Sequence, residues 1–223
     1  MKRTKLSDRH LPKYTNAEEI MNMVTHIVGG ALAVFALIAC IYRSAMHGNV
    51  YGIVGSAVYG TSMLILYTMS SVYHGLRPGM AKKVMQVLDH CTIYILIAGS
   101  YTGVALGAIR QAYPALGWGL VIFEWALTAI SVTLTAIDLK KYNVFSMICY
   151  IGMGWAILPF LDKTLAVLTL PGFLLLLFGG IAYTIGAILY GIGSRKKWFH
   201  CVFHVFVLLG SALQFLSILL YAL

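Results

Sequence analysis

The chain has 223 residues, of which 60% are hydrophobic and only 10% charged, and its mean hydropathy is +0.85. Soluble domains carry about a quarter charged residues, so this composition excludes an ordinary water-soluble domain and defines an integral membrane protein. The formal charge of +9 does not indicate a nucleic-acid partner, because the basic residues are spread between apolar runs and no nucleic-acid-binding motif is present.

The first 17 residues are polar and basic and lack the apolar core and small-residue cleavage site of a signal peptide. Residues 1–17 read as a cytoplasmic tail. Leu6, Leu11 and Tyr14 among its basic residues suit either a membrane surface or a disordered segment. Residues 18–223 read as one transmembrane domain. Seven apolar segments follow, at about 20–42, 51–74, 84–107, 114–137, 144–161, 171–193 and 199–222, each near the ~20 residues that a bilayer requires. The breaks carry Gly, Pro, Asn or charge, including Arg77-Pro78-Gly79, Lys140-Lys141, Asp162-Lys163 and Arg195-Lys196-Lys197. Loops this short predict an all-α bundle of seven antiparallel transmembrane helices. The tail and the loops after segments two, four and six hold thirteen Lys and Arg, and the opposite side holds three. The positive-inside rule then puts the N-terminus in the cytoplasm and the C-terminus outside.

With that orientation, four separate segments place polar residues at one depth near the cytoplasmic face. Segment one carries Glu19, Asn22 and His26; segment two ends in Ser70 and His74; segment three begins with Asp89 and His90; segment seven begins with His200 and His204. A helix turns once per 3.6 residues, so His200 and His204 share a face. Bare imidazoles in apolar surroundings are costly unless they are hydrogen-bonded or ligated. The physical reading is that His74, His200 and His204 bind one Zn²⁺ and leave a fourth position open, as catalytic zinc sites do. Asp89 is the candidate proton carrier and Ser70 the candidate donor to an oxyanion. Glu19, Asn22 and His26 are expected to support the ligands from behind. Glu124 lies near mid-membrane, too deep to reach this cluster, and is expected to be a protonated acid bonded across helices or a separate functional group. His90 points away from Asp89 and is expected to be structural. Asp138 and Asp162, at segment ends, are expected to be solvated.

Other features read as packing. Gly29 with Ala33, Gly99 with Gly103 and Gly107, and Gly179-Gly180 with Ala182 and Gly186 place small residues on helix faces. Pro159 and Pro171 are expected to kink or start helices. Trp118 and Trp198 suit opposite interfaces. Cys40, Cys91, Cys149 and Cys201 all fall in apolar runs without C-x-x-C pairing and read as inert thiols.

Glu-x-x-Asn-x-x-x-His at 19–26, Ser-x-x-x-His at 70–74, Asp89-His90 and His-x-x-x-His at 200–204 together resemble the signature of the progestin and adipoQ receptor family. The chain most resembles the bacterial branch, the hemolysin III family, from about residue 19 to the C-terminus. The resemblance implies a multi-pass protein of the bacterial cell membrane: a seven-helix bundle, N-terminus inside, with zinc held by His74, His200 and His204 and with Ser70 and Asp89 beside it. It also implies a relation to the alkaline ceramidases, and so hydrolysis of a lipid amide or ester, with a membrane lipid as substrate or ligand. Three other readings stay open on the residues alone. They are a non-enzymatic zinc-containing membrane sensor, a pore-forming cytolysin, and a haem protein using two histidines.

Overall fold

Thr15 opens the first helix. Its hydroxyl accepts from the Glu18 backbone N–H, and the Glu18 side chain accepts back from the Thr15 N–H at 2.9 Å, a reciprocal cap that satisfies two orphan donors. The computed structural model describes residues 4–193 and 196–223. The helices are α1 Asn16–Met46, α2 Val50–Gly75, α3 Met80–Val104, α4 Pro114–Ile137, α5 Asn143–Gly154, α6 Leu161–Gly193 and α7 Phe199–Ser217. Helix α3 continues through a π-helical turn at Ala105–Ile109, and α7 through another at Ile218–Ala222. The described residues contain no strand. Arg195 of the basic loop, with Lys2 and Arg3 of the tail, lies outside the described residues.

Six helical stretches among the described residues are long and apolar enough to cross a membrane, and the protein is a multi-pass membrane protein. The fifth stretch, Asn143–Ile192, is 50 residues long and takes in both α5 and α6. The break falls inside the expected gap at 162–170, though not at Asp162-Lys163 themselves. Those residues sit in the first turn of α6, and the helical path is broken at Thr169, with φ 59° and ψ 169°. Pro171 lies in the first turn of the helix that restarts after Thr169, as expected, and there its missing N–H costs no intrahelical bond.

Small residues let the helices approach closely. A Cβ on Gly29 would lie 2.2 Å from the Tyr67 ring, and one on Gly99 would lie 2.0 Å from Ser62 Oγ. These contacts seat α1 on α2 and α2 on α3. Below the buried histidines, Tyr67 donates to Ser211 Oγ at 2.7 Å, and the Tyr183 hydroxyl lies 2.8 Å from the same oxygen. This buried junction ties α2, α6 and α7 together directly beneath the histidines.

The tail is not disordered where it is described. The Thr4 N–H donates to Asp138 Oδ2 at 2.7 Å, Arg9 reaches the Ile137 carbonyl, and Lys83 donates to the Ser7 carbonyl. Asp138 is therefore buried, not solvated as expected. Its carboxylate also accepts from the Lys141 N–H at 3.1 Å, and these backbone donors hold its pKa below the ordinary carboxylate value. Asp162 is exposed, as expected.

Candidate metal centre

The last turn of α2 brings in His74, and the first turns of α7 bring in His200 and His204. All three are buried, and one ring nitrogen from each lies within 4.8 Å of the others. His200 Nε2 is 3.4 Å from His74 Nε2 and 3.1 Å from His204 Nε2. The other ring nitrogens fix the tautomers. His74 Nδ1 lies 2.6 Å from Glu19 Oε2, and His204 Nδ1 lies 3.2 Å from the Asn22 carbonyl. A carboxylate and a carbonyl can only accept, so both Nδ1 atoms donate, and in the neutral rings the two Nε2 atoms present lone pairs to the centre. His200 can donate its one ring proton to at most one of them. Converging lone pairs in a buried pocket favour a cation. The three imidazoles can therefore hold a metal ion.

Glu19 uses both oxygens. Its Oε1 accepts from Lys82 Nζ at 2.7 Å, and Lys82 also donates to the Leu76 carbonyl at 3.0 Å. The buried Lys82 thus forms an ion pair with Glu19. The Asn22 side chain has both amide atoms buried without a hydrogen-bond partner, so Asn22 serves His204 through its backbone. His26 supports the cluster by contact, not by hydrogen bonding. Its ring stacks on His204 at 3.8 Å and meets Tyr67 edge-on, and both of its nitrogens are buried without partners.

Ser70 and Asp89 face one cavity of about 130 Å³ with His26, His90, His200 and His204. The Ser70 hydroxyl lies beside the Asp89 carboxylate. The next residue, Ser71, is the one bonded to its own helix, at the Tyr67 carbonyl. His90 lines the cavity but has structural partners, the Gln86 carbonyl at 2.7 Å and the Tyr190 hydroxyl at 2.9 Å. Glu124 lies apart from this site. It is fully buried, and neither carboxylate oxygen has a hydrogen-bond partner, so the expected bond across helices is not present.

Two residues at the site were missed in the sequence. The Tyr14 ring lies nearly parallel over His200, with centroids 4.9 Å apart and an interplanar angle of 21°. Burial, with the neighbouring Tyr190 and the Glu19 and Asp89 carboxylates, pushes its phenol above the ordinary range, so the ring stays neutral. No local pattern marks this contact. The second is Glu18, whose Oε1 accepts from the Trp198 N–H at 2.7 Å and so anchors the start of α7 to α1. Thr15-x-x-Glu18 is a capping-box pattern that was there to be read.

The fold and site define a polytopic membrane protein with a buried three-histidine cluster between its second and last helices. The chain belongs to the haemolysin-III-related family, whose sequence model matches residues 14–215. It is 38% identical to the protein named hemolysin-3 of Bacillus cereus over 92% of each chain. It is 35% identical to the hemolysin-3 homolog of Bacillus subtilis, over 93% of this chain and 96% of that one. The human monocyte to macrophage differentiation factor is 23% identical over 92% of this chain and 85% of its own length. No solved structure matches the chain.

Proposed function

We propose that this protein is a zinc-dependent membrane hydrolase that cleaves a lipid amide or ester near the cytoplasmic leaflet. The observation that carries the reading is the convergence of three imidazoles, two of which, His200 and His204, line one cavity with the Asp89 carboxylate and the Ser70 hydroxyl. Tetrahedral zinc with Zn–N near 2.05 Å separates its nitrogen ligands by about 3.3 Å, which supports zinc against the observed 3.1 and 3.4 Å. His74, His200 and His204 would hold the ion. A zinc ion held there supplies an electrophile for the scissile carbonyl and a water acidic enough to ionise near neutral pH.

The chain's own groups do the rest. Glu19 and the Asn22 carbonyl keep the ligand tautomers. Asp89 takes a proton from the attacking water and returns it to the leaving nitrogen or oxygen. Ser70 donates to the carbonyl oxygen as negative charge develops there. The apolar cavity takes the acyl chain. The proposal includes seven spans with the N-terminus inside. An unbroken Asn143–Ile192 helix would be about 75 Å long, over twice the hydrocarbon thickness, and the non-helical Thr169 inside that stretch supports reading it as two passes.

A second reading, a non-enzymatic zinc-containing regulator, draws on the Tyr14 ring lying over His200, which covers the cluster from the tail side. Asp89→Ala separates the two. As an enzyme, the variant keeps its zinc and loses about 10²–10⁴-fold in turnover of a lipid amide or ester. A zinc-loaded parent that hydrolyses no amide or ester in a panel of ceramides, acyl amides and phospholipids would contradict the hydrolase reading.

A further inference from the structure

The cavity that starts at the histidines does not end as an apolar slot. Between Asp89 and its far end it is lined by Ile93, Leu96, Ile97 and Val207, and it then reaches Ser100 on α3 and Gln214 on α7. Ser100 Oγ and Gln214 Oε1 are both buried without a hydrogen-bond partner. The neighbouring polar groups are satisfied. The Tyr101 hydroxyl donates to the Gly154 carbonyl and accepts from the Ile157 N–H, and Trp155 Nε1 donates to Thr184 Oγ1. The Gln214 stem lies against α6 only because residue 179 is glycine: a Cβ there would come within 2.8 Å of Gln214 Cγ. Buried polar atoms without partners are rare in folded proteins, and where they face a cavity a water or a ligand group is expected to pair with them.

We infer that Ser100 and Gln214 form a second polar subsite, which recognises a hydroxyl on the chain of a lipid ligand about a dozen bonds from its head carbonyl. This deepens the acyl-chain reading above and rests on it. The spacing follows from helix geometry. Ser100 lies 11 residues beyond Asp89 and Gln214 lies 10 beyond His204. At 1.5 Å per residue the two steps are about 16.5 and 15 Å. An extended chain advances about 1.2 Å per bond, which gives about 12 to 14 bonds.

The chemistry selects a hydroxyl over other groups. Gln214 Oε1 can only accept, whereas Ser100 Oγ can donate. A hydroxyl gives its proton to Gln214 and takes one from Ser100. A ketone only accepts, so it would leave Gln214 unpaired, and a plain methylene would leave both unpaired. Ser100 and Gln214 also line an adjoining smaller cavity that continues to Leu158 and Leu161, both exposed on the bundle surface. The chain beyond the hydroxyl therefore has room to run on toward lipid.

The test is a binding assay on the full chain in nanodiscs. Its probes are octadecanoic acid, 12-hydroxyoctadecanoic acid and 6-hydroxyoctadecanoic acid. The 12-hydroxy acid is expected to bind at least tenfold more tightly than either of the others. In the Ser100→Ala/Gln214→Leu double variant that preference collapses to within about threefold, while octadecanoic acid binds at least as well as in the parent, because no polar atom is left dry. Equal binding of all three acids, a preference that survives the double substitution, or no binding of any acid overturns the inference. Zinc content of the same preparation reports on the histidine cluster independently. Zinc present without the hydroxyl preference rejects the subsite alone.

Discussion

Replacing Glu19 by Gln is expected to loosen the metal centre without touching a ligand. Glu19 accepts with both oxygens, from His74 Nδ1 at 2.6 Å and from Lys82 Nζ at 2.7 Å. Glutamine keeps one acceptor and substitutes an NH₂ for the other. If the NH₂ faces His74, the ring proton moves to Nε2 and blocks that atom as a ligand. If it faces Lys82, a buried ammonium loses its counter-charge and meets a donor. Support of this kind behind a metal ligand is worth about 10- to 100-fold in affinity, or about 1.4–2.8 kcal/mol. Breaking a fully buried ion pair costs about 3–5 kcal/mol. Here the Glu19 side chain is 19% exposed and Lys82 keeps the Leu76 carbonyl, so a loss of about 1–2 kcal/mol in stability is expected. Zinc affinity is read by competition with a chelator in detergent, and stability by thermal unfolding of the same samples. A Glu19→Gln protein that binds zinc as tightly as the parent would refute the claim that Glu19 sets the His74 tautomer.

Two further outcomes follow from the packing and from the tail. Gly29→Ala pushes a methyl into the Tyr67 ring, whose hydroxyl is held by Ser211, and should destabilise the protein by about 1–3 kcal/mol; an unchanged melting temperature would show that α1 and α2 adjust freely. The pKa of Asp138 is lowered in the folded state, so its hold on Thr4 is fully present above the unfolded value near 3.9 and is lost as pH falls through the lower folded value. The amide protection factors of residues 4–9 should therefore fall on acidification below about pH 4, and should already be low at neutral pH in Asp138→Asn; equal protection in parent and variant at pH 7 would contradict the docking.

The sequence made the helices legible because apolar length and basic loops are local signals. The predicted 114–137 segment coincides with α4. The gap at 162–170 was legible from Pro171, but its charged residues Asp162 and Lys163 are helical, and the chain breaks at Thr169 instead. His74, His200, His204 and Glu19 were legible because chemically demanding residues recur at helical spacing at one depth. The Tyr14 contact was not, since it depends on how the tail folds back over the bundle. Asp138 was misread for the same reason: its position at a helix end suggests solvent, and the tail that covers it is distant in sequence. The unpaired Ser100 and Gln214 oxygens leave no mark in the sequence, because partnering is a property of the packed interior.

The most direct test of the account is the metal content of protein purified in mild detergent without chelator, for the parent and for His74→Ala. About one zinc per chain in the parent and none in the variant is the predicted result, since removing one of three converging imidazoles opens the site. A folded parent that carries no zinc, or a His74→Ala protein that retains it in full, would contradict the account.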